Sequence, residues 1–169
     1  IRRIIVPENL VGDVQNALSK ALDQIKIGNP LSRETKMGSI VGKEQMQILE
    51  EKVNLLKAET ELIYDGKHDL VEANYEHGAF FTPKVFYNDK PFEKNISHER
   101  EAFGPVSTIM TYKDAEEASA LAKRGKGSLV GSIISNDNQF IAETSWKMAS
   151  QHGRIYVLNR KNAKEGTGH

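Results

Sequence analysis

The stretch Leu129-Val130-Gly131-Ser132-Ile133-Ile134 is nearly continuous in apolar residues, and it decides the fold class of this 169-residue chain. A run of this kind is expected of a strand that is covered on both faces of a sheet. A helix follows, begun by residues 136–138 and apolar on one side up to Met148, and the next strand is predicted over residues 154–158. Strands that alternate with helices of ten or more residues predict an α/β fold, with an open, largely parallel twisted sheet and flanking helices.

The same alternation extends back to the beginning of the chain. Strands are predicted where β-branched and apolar residues cluster, over residues 3–6, 61–64, 79–87 and 106–112. Helices are predicted where apolar residues recur every three or four positions, over residues 10–25 (ended by Gly28 and Pro30), 46–58 and 115–122. Asp114 and Glu117 have the spacing of a capping box at the start of the third helix. Residues 29–38 and 67–78 are predicted to be polar loops, and we expect a single domain over residues 1–169.

The composition argues against several classes of function. Lys and Arg total 23 and balance 23 Asp and Glu, so we expect neither nucleic acid nor an anionic membrane as the main partner. Cysteine is absent, which excludes disulfides, thiolate metal sites and cysteine nucleophiles within these residues, and the five histidines lack metal-ligand spacing. No run approaches the roughly 18 apolar residues of a membrane span. We expect a cytoplasmic protein without a secretion signal, and the strand-like beginning suggests an excerpt of a longer one.

Four segments together resemble motifs of the aldehyde dehydrogenase family. Residues 99–106 read Glu-Arg-Glu-Ala-Phe-Gly-Pro-Val and are similar to the family's Glu-x-Phe-Gly-Pro signature. Residues 29–38, 78–83 and 153–159 resemble three further family motifs, in the family's order and at its spacing. The resemblance implies an incomplete aldehyde dehydrogenase catalytic-domain fold that starts just after the nucleophilic cysteine.

Two other segments point to a branch of the family. Residues 125–132 and 163–169 look like the dehydrogenase half of the bifunctional phenylacetate-degradation protein, in which a ring-opening, hydratase-like domain is fused to the dehydrogenase. This resemblance implies a homo-oligomeric enzyme that uses NADP or NAD to oxidise a small aldehyde, a CoA-linked semialdehyde, to the acid.

The family's chemistry needs groups that these residues lack. A cysteine thiolate attacks the aldehyde, hydride leaves for the nicotinamide, and water activated by a glutamate releases the acid. The resemblance implies that the nucleophile, the base and the Gly-rich dinucleotide turn all precede Ile1. We therefore assign no catalytic residue and expect the chain alone to be inactive and to bind NADP weakly or not at all.

Cofactor positioning is what the resemblance implies for this chain. Glu101 matches the glutamate that accepts hydrogen bonds from the nicotinamide ribose, and a carboxylate suits two neighbouring hydroxyls because it has two acceptor oxygens. Phe103 matches the aromatic residue beside the nicotinamide, and Gln45 matches a position near the adenine-side ribose. Asn159 matches a position at the mouth of the substrate tunnel.

Each assignment has a plainer alternative. The alternatives are solvated surface residues for Glu101 and Gln45, a core aromatic for Phe103, and a turn residue at the end of a strand for Asn159. For the whole protein, the alternatives are a non-catalytic binding or assembly module of the same fold, and a related reductase of acyl phosphates or acyl-CoA.

Overall fold

The computed structural model describes residues 1–163, and the chain divides into two compact units, Ile1–Thr111 and Tyr112–His169. The helices are α1 (Val11–Asp23), α2 (Lys43–Glu59), α3 (Ile96–Glu99), α4 (Ala115–Lys123) and α5 (Asn138–Met148). The strands are β1 (Arg3–Pro7), β2 (Ile27–Gly28), β3 (Glu61–Asp65), β4 (Leu70–Val71), β5 (Lys84–Asn88), β6 (Val106–Tyr112), β7 (Ser128–Ile134) and β8 (His152–Leu158). A single domain over residues 1–169 stays a prediction.

The strands form one four-stranded sheet, in the order β1-β6-β5-β3, and two separate pairs, β2 with β4 and β7 with β8. The pairs β2–β4, β5–β6 and β7–β8 are parallel, whereas β3 runs antiparallel to β5. The predicted α/β class with a largely parallel sheet and flanking helices is confirmed, although the strands of the described residues lie in three sheets.

Two apolar clusters hold the first unit together. In the first core, the apolar face of α2 (Leu49, Val53, Leu56) packs on Phe86 of β5 and its neighbours. The second core brings the apolar face of α1 against buried side chains of four strands: Val6, Tyr64, Val85 and Ile109. Each fully buried side chain of this size stabilises the fold by roughly 1.5–3 kcal/mol.

In the second unit, side-chain caps fix where the two helices begin. Asp114 Oδ1 accepts a hydrogen bond from the Glu117 backbone N–H (2.9 Å) at the start of α4. The Glu117 side chain reaches back to the backbone N–H of Lys113 (2.8 Å), one residue before the position that a standard capping box uses. Asp137 Oδ1 accepts from two backbone N–H groups at the start of α5, and Phe140 of that helix stacks on Tyr112 at 6.2 Å.

Three predicted boundaries are wrong, each for an identifiable reason. Helix α1 ends at Asp23 rather than at residue 25, because Ile27 and Gly28 after it pair with Leu70 and Val71, which lie in the predicted loop over residues 67–78. The strand predicted over residues 79–87 begins only at Lys84, after Pro83, which has no backbone N–H to donate to a ladder. The last strand begins at His152 rather than residue 154, because Ser128 pairs with His152.

The expected coverage of β7 on both faces is not found. Leu129 and Ile134 are 88% and 78% exposed, and only Ile133 is buried. Strand β7 pairs with β8 and with no other strand in the part of the chain that the structure describes, so its apolar run lies largely open. Within residues 1–163, no helix is long and apolar enough to cross a membrane.

Candidate cofactor site

The loop of residues 100–105, called here the cofactor loop, holds one residue inward and its neighbours outward. Ala102 is buried in the first core, whereas Glu101 is exposed and Phe103 is 73% exposed. Phe103 has a φ of 55°, a left-handed conformation that costs about 1–2 kcal/mol for a residue with a side chain. The Pro105 carbonyl accepts from the Lys84 N–H (2.9 Å), which joins the end of the loop to the start of β5.

Glu101, Phe103 and Gln45 line the same open cleft of about 840 Å³. This volume lies within the roughly 300–1,000 Å³ of typical small-molecule sites. Three lining residues belong to α2, three lie shortly before it, and four lie within residues 99–103. The lining residues are Ser39, Ile40, Val41, Gln45, Ile48, Lys52, Glu99, Arg100, Glu101 and Phe103. Three of the four residues singled out from the sequence are therefore brought together, across 58 positions of sequence from Gln45 to Phe103.

The cleft combines polar and apolar groups with balanced charge. Lys52 and Arg100 supply two positive charges, and Glu99 and Glu101 supply two negative ones. The Glu101 carboxylate offers two acceptor oxygens, and Phe103 offers an exposed aromatic face. A ligand that carries hydroxyl groups and a flat ring can use both features, whereas a simple anion gains nothing from a neutral cleft.

Asn159 does not line this cleft and belongs to the other unit, just beyond the end of β8. Its Oδ1 accepts hydrogen bonds from the backbone N–H groups of Lys161 (2.9 Å) and Asn162 (3.0 Å). Its own N–H donates to Asn162 Oδ1 at 2.7 Å. The side-chain oxygen is thus engaged in a turn, and a role at a substrate tunnel stays a prediction.

Sequence reasoning missed part of the lining. Ile48 and Lys52 follow Gln45 by three and seven positions, the spacing of one helical face, so the helical period could have found them. Val41 precedes α2 in an irregular segment where no periodicity applies, and it is 99% exposed. Within residues 1–163, no cluster of three or more His, Asp or Glu side chains could hold a metal ion.

A sequence profile described as "Aldehyde dehydrogenase family" matches residues 1–167. The chain belongs to the aldehyde dehydrogenase family. Over its full length it is 36% identical to a 3,4-dehydroadipyl-CoA semialdehyde dehydrogenase from Aromatoleum evansii, covering 33% of that protein. It is also 41% identical over 134 residues to Protein MaoC from Klebsiella aerogenes, a match that covers 79% of this chain and 39% of that protein. The chain therefore spans between a third and two fifths of the length of these relatives.

Solved structures of aldehyde dehydrogenases have the same fold. A betaine aldehyde dehydrogenase from Staphylococcus aureus in complex with NAD+ superposes with a TM-score of 0.81 at 27% identity, over 92% of this chain and 30% of that one. An NAD-dependent aldehyde dehydrogenase from Sinorhizobium meliloti gives a TM-score of 0.81 at 26% identity, over 92% and 30% of the two chains. Of the two segments that indicate the phenylacetate branch, most of residues 163–169 lies outside the described residues.

Proposed function

We propose that this aldehyde dehydrogenase chain is the part of its parent enzyme that holds the nicotinamide ribose, and that the parent oxidises a CoA-linked semialdehyde to the acid. The observation that supports the proposal is the single cleft lined by Glu101, Phe103 and Gln45. Residues that the family resemblance assigns to one cofactor share one concave surface, although they come from two distant segments.

The residues present fit a dinucleotide. Glu101 would accept hydrogen bonds from the two hydroxyls of the nicotinamide ribose, Phe103 would limit where the ring can swing, and Gln45 would face the adenine-side ribose. When bound, the nicotinamide accepts the hydride that leaves the substrate. The contribution of this chain is to orient, and a misplacement of about 1 Å can cost roughly a hundredfold in rate.

A CoA-linked substrate is supported by the 36% identity to the 3,4-dehydroadipyl-CoA semialdehyde dehydrogenase, which extends over the whole chain. From the resemblance of the sequence we further propose NADP or NAD as cofactor, a role in phenylacetate catabolism and a homo-oligomeric parent, and we propose a cytoplasmic location. The nucleophile is proposed to precede Ile1, so the chain alone would be inactive.

The proposal is tested by Glu101→Gln in the full-length enzyme that contains this chain. The amide keeps the size of the side chain but replaces one acceptor oxygen by a donor group, so the KM for NAD(P)+ should rise by about tenfold or more, as expected for the loss of a charge-assisted hydrogen bond. Glu44→Gln is the matched control: it removes the same charge one residue before Gln45, at a position that does not line the cleft. An unchanged KM in Glu101→Gln, or equal changes in both variants, would refute the role of Glu101.

The substrate is tested by comparing one semialdehyde in its CoA-linked and CoA-free forms. We expect a higher kcat/KM for the CoA-linked form, measured with NADP+ and with NAD+ in parallel. The reverse reaction is assayed with acyl-CoA or acyl phosphate and NADPH. If the full-length enzyme catalyses this reduction faster than the oxidation of the semialdehyde, the enzyme is the related acyl-phosphate or acyl-CoA reductase. Absence of any turnover in the full-length protein would favour the binding or assembly module.

A further inference from the structure

Buried polar side chains lie in α3, just before the cofactor loop, and at the end of β5. Asn88, Ser97 and His98 are 0%, 2% and 2% exposed, and none of them lines the cleft. A buried polar group costs free energy unless it is hydrogen-bonded. We call Arg3, Glu59, Asn88, Ser97 and His98 the polar anchor, because their hydrogen bonds tie the short helix α3 to its surroundings.

Two contacts of the polar anchor hold the start of α3. The Ile96 backbone N–H donates to Glu59 Oε2 at 2.9 Å, which ties α3 to the end of α2. Asn88 Nδ2 donates to Ser97 Oγ at 3.1 Å, which ties α3 to the end of β5. A four-residue helix has little stability of its own, so such contacts decide its position.

His98 adds a third connection, from α3 to β1. Its Nε2 lies 2.8 Å from the Pro91 carbonyl oxygen, which can only accept, so Nε2 carries the proton. Its Nδ1 lies 3.1 Å from Arg3 Nη1, which can only donate, so Nδ1 is the acceptor. A proton on Nδ1 would set two donors against each other, and the ring is therefore neutral and held in one tautomer.

The surroundings of Arg3 also favour Nδ1 of His98 as the acceptor. Burial, together with the nearby charge of Arg2, lowers the pKa of the Arg3 guanidinium to about 10. A guanidinium that has lost part of its hydration depends on protein acceptors, and losing one leaves a costly unmet donor.

We propose that the Arg3–His98 hydrogen bond is a positioning contact for the cofactor loop: it fixes α3, and through α3 the Glu101 carboxylate, relative to strand β1. The link is short, because α3 ends at Glu99 and Glu101 is the second residue after it. Beyond Glu101, buried Ala102 anchors the loop to the first core. The carboxylate thus lies between two fixed points. This inference rests on the proposed function, since cofactor binding is its readout.

Two substitutions at His98, each made in the full-length enzyme, test its contact with Arg3 separately from its contact with Pro91. His98→Asn puts an acceptor oxygen where Nδ1 lies and keeps the bond to Arg3, whereas His98→Gln puts an N–H donor where Nε2 lies and keeps the bond to Pro91. We expect His98→Asn to retain a KM for NAD(P)+ close to that of the parent. We expect His98→Gln to raise this KM by between about tenfold and a hundredfold, with the KM for the aldehyde unchanged.

Variants of Arg3 provide a second route if the His98 variants fold poorly. Arg3→Met keeps the apolar stem but removes the donor, and it should raise the cofactor KM as His98→Gln does. Arg3→Met combined with His98→Gln should be no worse than either alone, because both break the same bond. Tyr64→Phe is the control for general destabilisation: it removes a 2.9 Å hydrogen bond to Asp23 in the same unit and should leave the cofactor KM unchanged.

Equal effects of His98→Asn and His98→Gln on the cofactor KM would overturn the inference, as would a folded Arg3→Met variant with an unchanged KM. The Glu101→Gln variant distinguishes the two levels of the proposal. If Glu101→Gln raises the cofactor KM and the Arg3 and His98 variants do not, only the positioning contact is refuted. If Glu101→Gln has no effect either, the proposed function itself fails.

Discussion

Gly104→Ala tests whether the cofactor loop is pressed against the core. A Cβ atom at position 104 would lie 2.5 Å from Leu49 Cδ2 and 2.9 Å from Leu49 Cδ1. Carbon atoms in contact prefer about 3.5–4.0 Å, so the methyl group lacks roughly 1 Å of space. Leu49 is 0% exposed and packs in the first core beside Val53 and Phe86, so it cannot turn away without displacing them.

The added methyl group can be accommodated in two ways, and each has a measurable cost. If the core yields, overpacking should lower the free energy of unfolding by about 1–3 kcal/mol. If the loop yields, it moves outward by roughly 1 Å and carries Phe103 and Glu101 with it, and a shift of that size can cost up to about a hundredfold in reactivity. Because Ala102 anchors the loop in the same core, we expect both effects together.

The assay combines chemical denaturation with the KM for NAD(P)+ in the full-length enzyme. Leu49→Ala alone should cost about 2–5 kcal/mol through the cavity that it leaves. In the double variant the methyl group added at position 104 enters that cavity, so the combined loss should fall below the sum of the single losses by roughly 1 kcal/mol or more. Wild-type stability and wild-type KM in Gly104→Ala would refute the reasoning, and so would strict additivity in the double variant.

Three further predictions concern single groups. Asp114→Ala should lower the free energy of unfolding by about 1 kcal/mol in a urea titration, because it removes the cap of α4, whereas Asp114→Asn should keep most of it. Burial, with the hydrogen bond to Asp23, raises the pKa of Tyr64 to about 12, above its ordinary 10.0, so its contribution to stability is present below pH 10 and lost as the pH rises through 12. A shift of two pKa units limits this contribution to the free energy of unfolding to about 3 kcal/mol, and solvent screening of the hydroxyl reduces it. Because Tyr64→Phe has no hydroxyl, the variant should lack the corresponding loss of stability at alkaline pH. Phe103→Gly should be roughly 0.5–1 kcal/mol more stable than Phe103→Ala by thermal denaturation. Glycine avoids the cost of the left-handed conformation, about 1–2 kcal/mol, and this gain exceeds its extra entropy loss on folding, about 0.5–1 kcal/mol. Equal stabilities would contradict this.

Elements with a long, regular period were predictable from the sequence. The apolar face of α2 recurs over 17 residues, and the predicted helix over residues 46–58 lies within the observed Lys43–Glu59. Strand β6 was predicted at its observed bounds, Val106–Tyr112, because it is rich in β-branched and apolar residues. In such elements local propensity and burial favour the same structure.

Elements fixed by contacts between distant segments were not predictable. The paired residues of β2 and β4 are two per strand, too few to show any period, and they lie in stretches that read as a helix end and a polar loop. The same limit applies to the cleft. Gln45 could be proposed for it from the resemblance, but Val41 and Arg100 enter it only because α2 and the cofactor loop lie side by side.

The packing of the cofactor loop restricts the residue type at several positions of the Glu-x-Phe-Gly-Pro motif. Ala102 must be small and apolar because it is buried in the first core, while its neighbours Glu101 and Phe103 are exposed at the cleft. Gly104 must lack a side chain because Leu49 occupies the space, and Phe103 holds a conformation that no residue with a side chain prefers. A residue in strained geometry persists only where the surroundings impose it, and here buried Ala102 on one side and the close approach of Gly104 to Leu49 on the other do so. Packing against the core thus restricts Ala102 and Gly104, whereas exposure at the cleft leaves Glu101 and Phe103 available to a ligand. A larger side chain at position 102 or 104 would disturb the core and would also displace the exposed residues between and beside them.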